Sequence, residues 1–211
     1  MFAAPANAGG YPACMLDRLA RAISILGHPV LVLPAALALP AALRGGDSGT
    51  LRSMLGAFAL FAALVLGWSW LQVRRGRWAH VDASQPSERQ SLNRILLVTI
   101  AIGALLAWRL SQTPDLALAL ALSASIVAIA MLTARWCKLS LHAAFAVYAA
   151  GLLWPLGVVW MGAGCVFAGI VAWSRLQLSR HRPRDIVAGA AAGSLAASGY
   201  WLTLHGVQTS P

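Results

Sequence analysis

The stretch from residue 139 to residue 174 is the feature that most limits how this chain can fold. Its 36 residues include no Asp, Glu, Lys or Arg. A helix of that length would measure ~54 Å at ~1.5 Å per residue, whereas the hydrocarbon core of a bilayer is about 30 Å thick. The run therefore predicts two membrane-spanning helices, and Trp154-Pro-Leu-Gly157 supplies the break between them.

Composition extends this prediction to the whole chain. The 211 residues are 59% hydrophobic and 10% charged, with a mean hydropathy of +0.71, whereas soluble domains have about 25% charged residues. We expect an all-α polytopic transmembrane bundle of about six or seven spans. One transmembrane domain, 19–205, should follow a lead at 1–18 and precede a short tail at 206–211. The expected spans are 19–43, 53–73, 95–108, 116–134, 140–155, 158–174 and 184–204.

Two local patterns predict irregular or close helix packing. His28-Pro29, Pro34 and Pro40 predict that the first span is kinked or broken. His28 is either a buried histidine bonded to a freed backbone carbonyl, the favoured interpretation, or a functional residue. In the last span, Gly189-Ala-Ala-Ala-Gly193 is a small-xxx-small pattern that allows another helix to approach closely.

The charge and cysteine content exclude several classes of function. The net charge is +10, but the chain has no room for a soluble basic domain, so membrane lipids are the expected partners and nucleic acid is not. Cys14, Cys137 and Cys165 form no CxxC motif, so neither a disulfide framework nor a zinc site is indicated. The sequence leaves open whether the chain forms a homo-oligomer.

Three polar regions interrupt the apolar spans, at 74–94, 135–142 and 174–185. Two predicted spans separate each region from the next, so all three should lie on the same face of the membrane. That face and the N-terminus carry thirteen of the 16 Lys and Arg residues. The positive-inside rule then predicts a multi-pass protein of the inner (plasma) membrane, with this face in the cytoplasm.

The region 174–185 has the residue types needed for phosphoryl transfer. Pro183 is suited to a first helical turn, which would place His181 at the positive end of the helix dipole. Asp185 follows His181 by four residues, and a carboxylate bonded to one ring nitrogen leaves the other free to attack. The planar guanidinium of Arg175 fits phosphate oxygens.

The region 135–142 offers a complementary pair of side chains. His142 could donate a proton to the leaving alkoxide. Ser140, two residues earlier, and the local backbone N–H groups could hold a phosphate oxygen. A catalytic histidine pair is therefore favoured over two solvated loop histidines.

These residues resemble motifs of the type 2 phosphatidic acid phosphatase superfamily. Its third motif, SRxxxxxHxxxD, is matched in full by Ser174, Arg175, His181 and Asp185. The second, PSGH, corresponds to residues 139–142, where the serine and histidine match but the proline and glycine do not. The first, KxxxxxxRP, corresponds to residues 82–90: Arg89 matches, Asp82 replaces the lysine and Gln90 the proline.

The resemblance implies a fold like this superfamily's helical core and a role for each matched residue. His181 would form a phosphoenzyme, Asp185 would orient it, and His142 would be the general acid that later activates water. Neither a metal nor another cofactor would be needed. The phosphate-binding residues would be Arg175, Ser140, Arg89 and Ser174, with Lys138 or one of the arginines at 180, 182 and 184 replacing the missing lysine.

The function implied by the resemblance is that of a membrane lipid phosphatase. It would hydrolyse a lipid phosphate or diphosphate monoester, such as phosphatidate, phosphatidylglycerol phosphate or a polyprenyl diphosphate. Two alternatives stay open: a phosphotransferase of the same fold and a non-catalytic lipid-binding membrane protein. The absence of the first-motif lysine and second-motif glycine favours the last of these, whereas His142, His181 and Asp185 favour an enzyme.

Overall fold

A computed structural model describes residues 15–45, 47–78, 85–110 and 114–208, and every regular element within them is helical. Most of the predicted lead, the end of the tail, Cys14 and Asp82 lie outside these residues. The helices are α1 Met15–Leu26, α2 Pro29–Leu43, α3 Ser48–Arg74, α4 Pro86–Leu110, α5 Pro114–Leu132, α6 Leu141–Leu152, α7 Val158–Gln177 and α8 Pro183–Gln208, with a 3-10 turn at Trp154–Leu156.

The described helices make this a helical membrane protein. Four of them, α3, α4, α5 and α7, are long and apolar enough to cross a bilayer, and the bent pair α1–α2 gives up to a fifth span. Among the described residues, α6 and α8 do not meet the same criterion, although the sequence predicts both as spans. The count of six or seven spans therefore stays a prediction.

Both predicted breaks are present. Helices α1 and α2 meet at an angle of 54°, with His28 as the N-cap of α2 and Pro29 in its first turn. The helix α2 continues through Pro34 and Pro40, so these prolines do not break it. The second break is the 3-10 turn, after which Gly157 has a φ of 106° that favours glycine.

Helix α6 is the centre of the bundle and packs against α2, α7 and α8. Its buried residues are mainly alanines, together with Tyr148, whose hydroxyl donates to the Ala119 carbonyl at 3.1 Å. A Cβ at Gly189 would lie 2.5 Å from the Ser140 carbonyl oxygen, and one at Gly193 would lie 2.3 Å from that of Ala144. The predicted close approach at this glycine pair is confirmed.

Contacts between helix ends show which of them lie at the same end of the bundle. At one end, the Ser140 N–H donates to the Asp185 carbonyl at 3.0 Å, and Lys138 Nζ donates to the Arg180 carbonyl at 2.7 Å. At the other end, Arg44 donates to the Pro155 carbonyl. The polar regions 135–142 and 174–185 therefore meet at one end of the bundle, as the count of spans predicts.

Candidate active site

His181 lies in the loop between α7 and α8, and its side chain is only 8% exposed. Its Nδ1 lies 3.1 Å from the carbonyl oxygen of Lys138, which precedes α6. Because a carbonyl can only accept, we infer that Nδ1 carries the proton. The lone pair of Nε2 is then available to attack an electrophile.

Asp185 supports this loop and makes no direct hydrogen bond to His181. Its Oδ2 is 3.8 Å from Nδ1 of His181, which exceeds hydrogen-bond length. The same oxygen accepts from the Arg182 N–H at 3.0 Å, and Oδ1 accepts from Cys137 Sγ at 3.5 Å. The carboxylate is engaged in capping the start of α8, so the carbonyl of Lys138 takes the orienting contact that the sequence assigns to Asp185.

The environment of His181 favours its neutral form. Burial lowers the pKa of His181 to about 4, and the nearby charges of Arg175 and Lys138 lower it in the same direction. Burial also lowers the pKa of Lys138, followed by the charge of Arg89. At neutral pH His181 therefore presents an unprotonated ring nitrogen beside several cations, as a nucleophile for an anionic ester requires.

Arg175 connects this loop to the first helix. It lies in the last turn of α7, and its Nη1 donates to the hydroxyl of Ser24 at 2.6 Å. Ser24 is a buried residue of α1. The charge of Arg175 acts on both His142 and His181. The guanidinium therefore belongs to the same cluster as the two histidines.

His142, in the first turn of α6, faces the break between α1 and α2. Its ring stands perpendicular to that of His28, with the centroids 5.2 Å apart. It also interacts electrostatically with His181. The two histidines of the second and third motifs therefore lie near enough to influence each other, and their catalytic pairing stays a prediction.

His28 has a different partner from the expected one. Its Nδ1 accepts the N–H of Val30 at 3.2 Å, which caps α2, whereas the favoured sequence interpretation was a bond to a carbonyl. Since Nδ1 accepts, the neutral ring carries its proton on Nε2. The contact of this ring with His142 also supports the functional interpretation that the sequence left open.

The two serines of the motifs have structural hydrogen bonds. Ser140 is fully buried and is the N-cap of α6, where its hydroxyl accepts the N–H of Ala143 at 3.4 Å. Ser174 is also fully buried and donates to the Val171 carbonyl in its own helix at 2.7 Å. Their phosphate-binding roles stay predictions, and in the structure both hydroxyls form hydrogen bonds with the backbone nearby.

The first motif reaches the cluster through Arg89, in the first turn of α4. Arg89 is half-buried and lies near enough to Lys138 to affect its pKa. Lys138 is exposed, and its Nζ donates to the Arg180 carbonyl. Two of the predicted phosphate-binding cations therefore interact electrostatically, whereas Asp82 lies outside the described residues.

Sequence reasoning missed the contribution of α1 and of Cys137. Ser24 and His28 are four residues apart in an apolar span, a spacing that places two side chains on one helical face. This polar pair was the available signal for α1. No comparable signal existed for the bond between Cys137 and Asp185, because it joins residues 48 positions apart.

The comparisons with known proteins give no independent assignment. No family model, curated protein or solved structure matches the chain. The function must therefore be argued from the cluster itself.

Proposed function

We propose that the chain is a metal-independent membrane phosphatase that hydrolyses a lipid phosphate or diphosphate monoester. The observation that carries this proposal is the bond between His181 Nδ1 and the Lys138 carbonyl. It leaves Nε2 unprotonated in a residue that interacts electrostatically with Arg175 and with His142. A buried imidazole with one fixed tautomer, a guanidinium and a second histidine are the groups that histidine-dependent phosphoryl transfer needs.

The reaction has two steps. Nε2 of His181 attacks the terminal phosphorus, the bond from this phosphorus to the leaving oxygen breaks, and His142 protonates that oxygen. The leaving group is the lipid alkoxide of a phosphate monoester, or the lipid monophosphate of a diphosphate monoester. A water molecule then attacks the phosphohistidine, His142 accepts a proton from it, and the bond between phosphorus and nitrogen breaks to release phosphate. Arg175, assisted by Arg89 and Lys138, would hold the phosphate oxygens.

The membrane setting supports a lipid as the substrate. The cluster lies at the ends of apolar helices, which is where we expect lipid headgroups if these helices cross the bilayer. The four departures from the motifs favour no particular headgroup. Phosphatidate, phosphatidylglycerol phosphate and polyprenyl diphosphates therefore all belong in the test. The resemblance to the lipid phosphatase motifs is a second, weaker support.

The test is phosphate release by the purified protein over a panel of lipid phosphates. We expect wild-type protein to release phosphate from at least one lipid and His181→Ala to release none. His205→Ala is the matched control, because His205 is an exposed histidine near the end of α8. Its Nδ1 lies 2.8 Å from a backbone carbonyl oxygen of the same helix. An alkaline quench should trap a phosphoenzyme in wild-type protein that His181→Ala lacks.

Two results would change this conclusion. Equal inactivity of wild-type protein and His181→Ala on the whole panel would favour a non-catalytic lipid-binding protein. Product that forms only when an acceptor alcohol is added would favour a phosphotransferase that uses the same phosphohistidine. Thermal unfolding of each protein shows whether it folds. His205→Ala shows whether the loss of a histidine outside the cluster affects phosphate release.

We further propose that the cluster faces the cytoplasm, because most of the basic residues lie at that end. Single cysteines at Arg135 and Arg52, exposed residues at opposite ends of the bundle, would be introduced after the native cysteines are replaced. In intact cells a membrane-impermeant thiol reagent should label Arg52→Cys and leave Arg135→Cys unlabelled. The reverse pattern would place the site on the outer face.

A further inference from the structure

A long apolar groove begins beside the candidate site. It occupies about 370 Å³ between α2 and α7, both of which pack on α6, which forms its floor. Its walls are formed mainly by Leu31, Ala35 and Leu39 of α2 and by Trp160, Ala163 and Phe167 of α7. All the residues that line it are apolar, so it offers a hydrocarbon ligand contact without unpaired polar groups.

The position of the groove connects it to the phosphate-binding end of the bundle. Leu26, which lines it, lies in the last turn of α1 between Ser24 and His28. From there the groove follows α2. The part from Leu31 to Leu39 is about 12 Å long at ~1.5 Å per residue. One leaflet of the hydrocarbon core is about 15 Å deep, so the groove covers most of the depth of one leaflet.

The width of the groove decides what can occupy it. Spread over about 12 Å, its volume corresponds to a cross-section of roughly 30 Å² for the centre of a water molecule, and adding the water radius of ~1.4 Å on each side gives a width of about 9 Å. A helix with its side chains is about 10–12 Å across, so neither a second copy nor a partner's helix fits. A single hydrocarbon chain does.

We propose that this groove holds the hydrocarbon chain of the lipid whose phosphate lies at Arg175 and His181. The inference rests on the proposed function and adds a substrate determinant to it: the chain is gripped between α2 and α7 while the headgroup stays at the cluster. Because a chain in the bilayer is already out of water, the groove gains little from the hydrophobic effect. Its contribution is to position the phosphate for attack.

The groove can be filled by substitution of its small residues. Ala163→Phe, with Ala35→Phe as a second variant from the opposite wall, would place a ring where the chain should lie. Val166→Phe is the matched control, since Val166 is 65% exposed on the same helix and does not line the groove. A thermal unfolding measurement on each variant reports whether it folds.

Turnover of two substrates separates the chain from the headgroup. We expect Ala163→Phe to lower kcat/KM for long-chain phosphatidate about 10²-fold, the loss that a misplacement of about 1 Å produces, and to leave that for glycerol phosphate unchanged. Val166→Phe should change neither. Equal loss on both substrates, or no loss on phosphatidate, would overturn the groove proposal while leaving phosphatase activity established.

Occupancy can also be measured without turnover. Phosphatidate with a photoactivatable group on its acyl chain should label α2 or α7, and Ala163→Phe should abolish the labelling. Equal labelling by a diacylglycerol with the same chain would mean that the groove holds bulk bilayer lipid, which overturns the proposal. Selective labelling in a protein that releases no phosphate would instead overturn the proposed function and keep the lipid site.

Discussion

Substitution of Gly193 by alanine should separate α8 from α6 and disable the site. A Cβ at this position would lie 2.3 Å from the Ala144 carbonyl oxygen and 3.1 Å from the backbone nitrogen of Tyr148. Both obstacles are backbone atoms of the buried central helix, so they cannot rotate away as a side chain could. The helix α8 must therefore move by about 1 Å to restore ordinary contact.

The magnitude follows from two opposing terms. Overpacking of this kind destabilises a protein by about 1–3 kcal/mol, whereas replacing a helical glycine by alanine gains up to about 1 kcal/mol. If the full gain is realised, we expect a net loss of up to about 2 kcal/mol in the free energy of unfolding, and Gly193→Ala should be about 1–3 kcal/mol less stable than a variant that gains the helix propensity alone. The same shift would lengthen the 3.0 Å bond from the Ser140 N–H to the Asp185 carbonyl, and a 1 Å displacement of His181 should lower turnover about 10²-fold.

Gly162→Ala in α7 is the control for this experiment. It makes the same chemical change, but its Cβ meets nothing within 4 Å, so only the gain in helix propensity remains. Thermal unfolding in detergent and phosphate release would be measured for both variants. If Gly193→Ala unfolds and turns over like Gly162→Ala, the close contact between α6 and α8 is not what holds the site together.

Acidification should protonate His181 only near pH 4, so kcat/KM should fall on the acid side with a midpoint near pH 4. The pKa of His181 in the folded protein lies below the value of about 6.5 in the unfolded chain, so the unfolded chain binds more protons between these two pH values. The free energy of unfolding should therefore decline as pH falls from about 6.5 towards 4. NMR titration of the ring can verify the shift in pKa. Ser24→Ala removes the hydroxyl that accepts a hydrogen bond from Arg175. Because a hydrogen bond to a charged group contributes about 1.5–3 kcal/mol, we expect KM to rise roughly tenfold or more. Ser24→Thr keeps a hydroxyl and should retain most of the affinity. Asp185→Asn removes a charge that raises the pKa of His181, so the acid limb of its pH profile should move below that of wild-type protein. An unchanged profile would show that the charge of Asp185 does not influence the ring.

Much of the fold is readable from the sequence because a bilayer restricts the solutions so strongly. The uncharged run at 139–174 required a break, and the structure has one at Trp154–Leu156. The glycine pair in the last helix predicted a close helix contact, which α6 supplies. The regions that carry the second and third motifs meet at one end of the bundle, as an even number of predicted spans between them requires. Each of these predictions depends on a local pattern or on counting.

The details that the sequence leaves open are those that tertiary contacts decide. Pro34 and Pro40 do not break α2, which shows that proline in an apolar helix need not end it. Asp185 lies at the predicted spacing from His181, yet the Lys138 carbonyl takes the orienting bond. The spacing of four residues brings Asp185 close to His181. The carboxylate oxygens of Asp185 nevertheless accept from the Arg182 N–H and the Cys137 thiol, and the spacing does not predict either donor.

The assembly of the cluster explains why the motifs alone describe it incompletely. The contact of α8 with α6 brings the His181 loop to the Lys138 carbonyl, while α1 brings Ser24 to Arg175 and the bend after it brings His28 to His142. Histidine orientation and guanidinium orientation are thus controlled by different helix contacts. A substitution in α1, far from any motif, should therefore impair phosphate binding through Arg175 without changing the tautomer of His181, whereas one at the α6–α8 contact should impair both.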